Sequence, residues 1–225
     1  MRPAGGKPET LSGFATIMDY DAALKGSEIR LWKLIEQRCA LGADHASQKL
    51  IDERIWDLFG EEWAVMFTDL SGFSRSVAAF GIIHFLQVIF EHKRLLLPVV
   101  REHDGILIKI EADSLMIIFK RADRALACAI AMQHACQAYS ATRAPEEKVL
   151  LCVGIGFGRI LRIGDSDVYG QEVNAASKLG EDTAKSNEIL VTEAVQKALG
   201  GLAGVTWEDL AEAVPGSDKN FRVKY

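Results

Sequence analysis

Two periods of apolar residues divide this chain. Segments with apolar side chains three and four apart read as amphipathic helices, and short runs rich in β-branched and aromatic residues read as strands. Glu28 to Cys39 carries Ile29, Leu31, Trp32, Leu34 and Ile35 at helical spacing. Ala46 to Phe59 places Leu50, Ile51, Ile55, Trp56, Leu58 and Phe59 largely on one side, with Gly42 between the two helices. Trp63 to Asp69 reads as a strand. A long helix from about Ser74 to His103 follows, its apolar side marked by Ile82, Ile83, Phe85, Leu86, Ile89, Phe90 and Leu95 to Leu97, and Pro98 is expected to kink or end it. Gly105 to Phe119 holds two strand-like runs around the hairpin turn Glu111-Ala112-Asp113-Ser114. Arg121 to Tyr139 is an Ala-rich helix. Val149 to Phe157 is a strand that Gly158 to Ile163 continues after a bend, and Asp165 to Gly170 is a turn or short strand. A helix over Gln171 to Ala184, a strand over Glu188 to Val191 and a short helix from Thr192 to Leu199 come next, the last begun by Thr192 and Glu193. Val205 to Leu210 and Phe221 to Tyr225 close the chain as strands around Pro215-Gly216-Ser217.

After the first two helices the order is βαββαβ followed by αβαββ, which predicts an α+β fold. The expected architecture is a ferredoxin-like, antiparallel-rich sheet with helices packed on one face, plus the N-terminal helices. Residues 1–27, rich in Gly, Pro and small polar residues, are expected to be a flexible lead-in, 28–60 a helical segment and 61–225 the main domain. The two N-terminal helices either pack on the domain that follows or serve dimerisation or signal relay. At 225 residues the chain suffices for one good core plus an appendage.

The ten residues Val65-Met66-Phe67-Thr68-Asp69-Leu70-Ser71-Gly72-Phe73-Ser74 carry the first chemistry. A carboxylate stands at the end of an apolar strand, where it is costly unless paired or bound to a metal. The backbone N–H groups of the helix start that follows suit phosphate oxygens. Taken alone, the stretch is equally compatible with a helix cap. The topology, however, sets strand one beside the hairpin, so Asp69 and the Glu111–Asp113 turn could meet. Two aspartates on neighbouring strands suit a pair of hard divalent cations, and such a pair suits in-line phosphoryl displacement.

Composition narrows the partners. A net charge of −5 argues against a general nucleic-acid binder. Cys39, Cys128, Cys136 and Cys152 have no metal-ligand spacing, and Cys128, Cys136 and Cys152 fall in apolar patterns, so buried free thiols and a reducing, cytoplasmic setting are expected. The N-terminus has no apolar signal-peptide core, and no run reaches transmembrane length. His84, His92 and His103 share one helical stretch without metal spacing and read as structural or surface groups. Trp32, Trp56, Trp63 and Trp207 read as packing residues.

Three stretches in order carry a family resemblance. Phe67-Thr68-Asp69-Leu70-Ser71-Gly72-Phe73-Ser74 resembles the first metal motif of the class III adenylate/guanylate cyclase catalytic domain. Lys109-Ile110-Glu111-Ala112-Asp113 resembles its base-contacting lysine and second metal aspartate. Asp167-Val168-Tyr169-Gly170-Gln171-Glu172-Val173-Asn174-Ala175-Ala176-Ser177-Lys178-Leu179 resembles its third signature. The resemblance implies two Mg²⁺ or Mn²⁺ ions on Asp69, Asp113 and the Leu70 carbonyl, and triphosphate contacts from Gly72, Phe73 and Ser74. It implies adenine reading by Lys109 and Asp167, ribose orientation by Asn174, and charge stabilisation by Lys178. It also implies ATP as substrate, cyclic AMP and pyrophosphate as products, and a homodimer with two composite sites. A regulatory domain or partner could act through the N-terminal helices.

The chain departs from that pattern in four places. Lys178 stands where the family has an arginine, keeping the charge but losing the planar fork. Ala112 replaces a common glycine, Gly158 to Asp167 is shorter than the usual dimer-bracing arm, and the family's phosphate-binding lysine has no clear counterpart, Lys219 being a candidate. Lys178 keeps open a nucleotide-binding or dimerisation module without turnover. Guanylate cyclase is the third alternative, disfavoured by Lys109 with Asp167. The glycine-glycine-acidic turn of diguanylate cyclases is absent from the hairpin.

Overall fold

The computed structural model describes residues 26–72 and 78–225. They fall into two units, divided between Ile55 and Trp56. In the first, α1 (Gly26–Ala40) and α2 (His45–Phe59, which runs on into the second unit) flank a short turn. Arg38 joins the two helices by donating from Nε and a terminal nitrogen to the Asp52 carboxylate at 2.5 and 3.2 Å. Leu31, Leu34 and Ile55 are buried, whereas Leu50 and Leu58, expected on the apolar side, are exposed. Of the expected lead-in, 1–25 lies outside the described residues, and Gly26 and Ser27 already belong to α1.

The second unit is built on one sheet of eight strands, ordered β2-β3-β1-β4-β6-β8-β7, with β5 added to the end of β4. The strands are β1 (Gly60–Leu70), β2 (Ile106–Glu111), β3 (Ser114–Phe119), β4 (Leu151–Ile163), β5 (Asp167–Tyr169), β6 (Ile189–Thr192), β7 (Thr206–Leu210) and β8 (Asn220–Lys224). Among the described residues, only β4 with β6 is a parallel pair. The ferredoxin-like α+β expectation holds. The apolar strand β1 lies between β3 and β4, both antiparallel to it.

Alternation along β1 sends Ala64 and Met66 to one face, and Trp63, Val65 and Phe67 to the other. The first face is covered by α3 (Ile82–Glu102) and α4 (Ala122–Ser140), through Phe85, Leu96, Val100, Leu126 and Met132. These side chains form the larger core. A helix also covers the second face, contrary to the one-faced expectation: α5 (Gln171–Ser177) packs Val173 and Ala176 against Val65, Phe67 and Ile160.

The long helix expected from Ser74 differs in three ways. Gly81, at φ 83°, interrupts it, and α3 begins at Ile82. Its apolar side is Phe85, Val88, Ile89, Leu96 and Val100, leaving Ile82, Ile83, Leu86 and Phe90 exposed. Pro98 lies inside the helix without ending it, because Leu96 and Val100, on either side of it, are anchored in the core. The helix expected over Gln171–Ala184 becomes α5 followed by a π-turn over Lys178–Thr183. Thr192 does precede α6 (Glu193–Leu199), but its side chain makes no cap hydrogen bond; the hydroxyl donates to Glu172 Oε2 at 2.8 Å instead.

Candidate active site

Register brings the two aspartates together. Thr68 of β1 pairs with Leu115 of β3, so one residue further on Asp69 reaches the β2–β3 turn that carries Asp113. The turn has two residues, Ala112 and Asp113, with Ala112 at φ 51°. This left-handed conformation favours glycine, so a side chain at residue 112 is strained there. The carboxyl groups of Asp69 and Asp113 lie close enough to act on each other, and the Leu70 backbone acts on both. Burial, then the neighbouring Asp113 charge, pushes the Asp69 carboxyl up to about 7, and burial also raises Asp113.

Such a pair, half-buried and rich in hard oxygen donors, fits Mg²⁺ or Mn²⁺, which need few protein carboxylates and take water and phosphate for the rest. Among the described residues, no group of three or more His, Cys, Asp or Glu side chains is placed to hold a metal. An ion here would draw its protein donors from the aspartate pair and its backbone. Gly72 ends the stretch at φ 91° with open space where a Cβ would be, so backbone conformation and not crowding calls for glycine there. Phe73 and Ser74 lie outside the described residues.

A second pair forms elsewhere on the sheet. The Lys109 ammonium, on edge strand β2, donates to Asp167 Oδ2 of β5 at 2.5 Å. Tyr169 donates its hydroxyl to the same oxygen at 3.1 Å, and the Val168 amide donates to Oδ1 at 2.9 Å. Asp167 is thus held as an acceptor by groups on both sides.

Asn174 and Lys178, four residues apart, are both exposed. Lys178 donates to Asp182 Oδ2 at 2.6 Å, and this bond and charge raise the affinity of its ammonium for its proton. Lys219, the candidate phosphate lysine, lies 3.6 Å from Asp209 and above the Phe221 ring, on the β7–β8 hairpin. The structure therefore joins Asp69 to Asp113 and Lys109 to Asp167. The Lys178 ammonium is engaged by Asp182 and not by the metal pair.

Two features escaped the reading of the sequence. Glu181, in the π-turn, accepts from Ser114 Oγ at 2.7 Å and from Ser177 Oγ at 2.5 Å, and its charge reaches both Asp69 and Asp113. Glu172 is a half-buried carboxylate that accepts from the Phe157 amide at 3.0 Å as well as from Thr192, and burial raises its pKa. The signal for both was Gly154-Ile155-Gly156-Phe157-Gly158 in β4, whose glycines alternate onto the second face. A Cβ at Gly154 would lie 2.2 Å from the Ala176 carbonyl oxygen and 2.3 Å from the Gly180 nitrogen, and one at Gly156 2.3 Å from the Glu172 carbonyl oxygen. Only a bare strand lets the α5 backbone and the π-turn lie directly on it.

Three comparisons place this architecture among known proteins. Residues 60–218 match the family model described as adenylate and guanylate cyclase catalytic domain. The chain is 26% identical over 159 residues to the serine/threonine-protein kinase pkn2 of Myxococcus xanthus, a stretch covering 71% of this chain and 19% of that kinase. This chain thus spans about a fifth of that relative's length. Among solved structures, the adenylate/guanylate cyclase/hydrolase from Silicibacter pomeroyi superposes with a TM-score of 0.64 at 23% identity, covering 73% of this chain and 95% of that one. The adenylyl cyclase CyaB from P. aeruginosa superposes with a TM-score of 0.63 at 20% identity, covering 74% and 95%. The family match extends over β1 to β7 and both aspartates, and on that ground this chain belongs to the adenylate and guanylate cyclase catalytic domain family.

Proposed function

We propose that the chain is an adenylate cyclase, converting ATP to cyclic AMP and pyrophosphate at composite sites of a homodimer. Structural likeness at these identities carries the fold alone, so the choice of base rests on one observation, the Lys109–Asp167 pair. An ammonium can donate to adenine N1 and a carboxylate can accept from the exocyclic amine, whereas guanine presents the reverse polarity at both positions. Tyr169 and the Val168 amide both donate to Asp167 and fix the orientation of its carboxylate.

In this reading Asp69, Asp113 and the Leu70 carbonyl hold two Mg²⁺ or Mn²⁺. Ions so held supply Lewis-acid stabilisation of the attacking and leaving oxygens of an in-line displacement. The ribose 3′-oxygen attacks the α-phosphorus and pyrophosphate leaves. The backbone from Gly72 through Phe73 and Ser74 binds phosphate oxygens. Asn174 orients the ribose, and Lys178 places positive charge against the reacting phosphate. The exposure of Asn174 and Lys178 on a protomer supports their use across a dimer, where the partner brings the aspartate half. The catalytic domain comprises 61–225, with 28–60 a separate helical segment open to a regulatory partner. Among the described residues no helix is long and apolar enough to cross a membrane, in keeping with work in the cytoplasm.

The test is to incubate purified protein with Mn²⁺ and either ATP or GTP and quantify the cyclic products. Cyclic AMP in excess is expected. A higher yield from GTP overturns the base assignment. A second reading, a nucleotide-binding module without turnover, is favoured by the Lys178–Asp182 ion pair, which engages the charge the reaction would use. Nucleotide binding without any cyclic product would establish it.

A further inference from the structure

The Asp113 turn and the segment carrying Lys178 are separate in the chain and, under the composite-dimer reading, serve different active sites. Within one protomer they are tied together by a single side chain. Ser114, adjacent to Asp113, donates to one oxygen of Glu181, and Ser177, adjacent to Lys178, donates to the other. Behind this link, Gly180 packs on backbone, since a Cβ there would lie 2.8 Å from both the Gly154 nitrogen and the Phe67 carbonyl oxygen. The π-turn therefore cannot shift without moving against β1 and β4. A π-turn carries one extra residue per hydrogen-bonded ring, and such insertions recur at functional sites because they re-aim side chains. Here the turn aims Glu181 at Ser114.

We propose that Glu181 is a positioning residue that holds the Asp113 hairpin and the Lys178 turn as one unit, so that each protomer couples the metal half it contributes to one site with the phosphate-stabilising half it lends to the other. The inference rests on the composite-dimer reading given above. Glu181 touches no reacting atom in this scheme. Its two serine partners keep both half-sites in fixed relation, and a displacement of about 1 Å in such groups can cost orders of magnitude in rate.

Differently tagged protomers test this. One carries Asp69→Ala and the other Lys178→Ala, and their purified heterodimer keeps one intact composite site: aspartates from the second protomer, Lys178 from the first. Glu181→Ala is then placed in either protomer. Glu181 is exposed, so its replacement leaves the fold in place. The expected result is a fall of about tenfold in kcat from either placement, with KM for ATP within about twofold. Glu181→Gln restores most of the rate, since its carboxamide accepts from one serine and donates to the other. A loss confined to the aspartate-supplying protomer overturns the coupling and leaves Glu181 a local neighbour of the metal pair. No loss from either placement overturns it outright. If the heterodimer is as inactive as each parent, the composite-dimer reading itself fails, and the coupling with it.

Discussion

The Lys109 ammonium and the Asp167 carboxylate lie 58 residues apart in sequence and 2.5 Å apart in space. Lys109 lies on β2, the sheet edge that leads into the Asp113 turn, and Asp167 lies on β5, a three-residue strand added to β4. Such a pair, about a third exposed on the lysine side, contributes little stability, so its value is in polarity. Asp167→Asn tests that value, because a carboxamide can turn its N–H₂ toward a guanine carbonyl. The ratio of kcat/KM for ATP over GTP is expected to fall at least about tenfold, the effect of one misdirected hydrogen bond. An unchanged ratio in a paired ATP/GTP assay would remove Asp167 from base selection.

Asp69→Ala removes half of the hard donor pair. The expected loss of cyclic product is at least about 10²-fold at saturating Mn²⁺, since metal stabilisation of the transferred phosphoryl amounts to several kcal/mol. Retained activity in the Mn²⁺ titration would sink the two-metal scheme.

Lys178→Arg restores the planar, multi-donor cation that the family resemblance implies at this position. A rise in kcat is expected, of about tenfold, with KM for ATP little changed, because the fork spans two phosphate oxygens where an ammonium is a point charge. A fall in kcat would mean that the π-turn is built around the ammonium and its Asp182 partner.

Gly154→Ala drives a methyl into the Ala176 carbonyl and the Gly180 nitrogen, both backbone atoms that cannot rotate away. Overpacking of this kind costs about 1–3 kcal/mol. The variant is expected to unfold at lower denaturant concentration and to lose kcat by more than its folded fraction accounts for, as the Lys178 turn lifts from the sheet. Wild-type kcat per folded molecule would show that the turn's seat on β4 is irrelevant to the site.

His92 is fully buried in α3 with neither ring nitrogen hydrogen-bonded among the described residues, and burial, with a smaller push from Lys93, lowers its pKa to about 4. The unfolded chain binds a proton near 6.5, so between pH 6.5 and 4 the unfolded state holds more protons than the folded one. The stability due to neutral His92 is complete above 6.5 and is lost as pH falls toward 4, a change of about 3 kcal/mol. In chemical denaturation from pH 7 to 4, His92→Phe is expected to flatten this part of the acid limb. An unchanged slope would locate the acid sensitivity elsewhere.

Local physics made most of the frame legible. Alternation and apolar runs located the strands, including the buried β1, and the helical periods of α1, α2 and α4 match the structure within a few residues. The three motifs gave Asp69, Asp113, Lys109, Asp167, Asn174 and Lys178 as candidates, and the fold brings four of them into two pairs. Where periodicity misled, partner surface was the reason. Ile82, Ile83, Leu86 and Phe90 have the same hydrophobicity as their buried neighbours, and only the position of the sheet decides which face of α3 is covered. Thr192 has the chemistry of a cap, yet the nearby half-buried Glu172 offers its hydroxyl a charged acceptor, and charge-assisted bonds are the stronger kind.

The sequence by itself determined the element order, the aspartate at the end of an apolar strand and the charged types available for base and phosphate, because each depends on residues close along the chain. The tertiary structure decided what those groups touch. Strand register set Asp69 against Asp113, the addition of β5 to β4 carried Asp167 to Lys109, and Gly154 against Gly180 let a π-turn lie on the sheet and aim Glu181 at Ser114. Contacts of this kind join residues tens of positions apart. They arise only when strands pair and backbone meets backbone, and no local pattern encodes that distance.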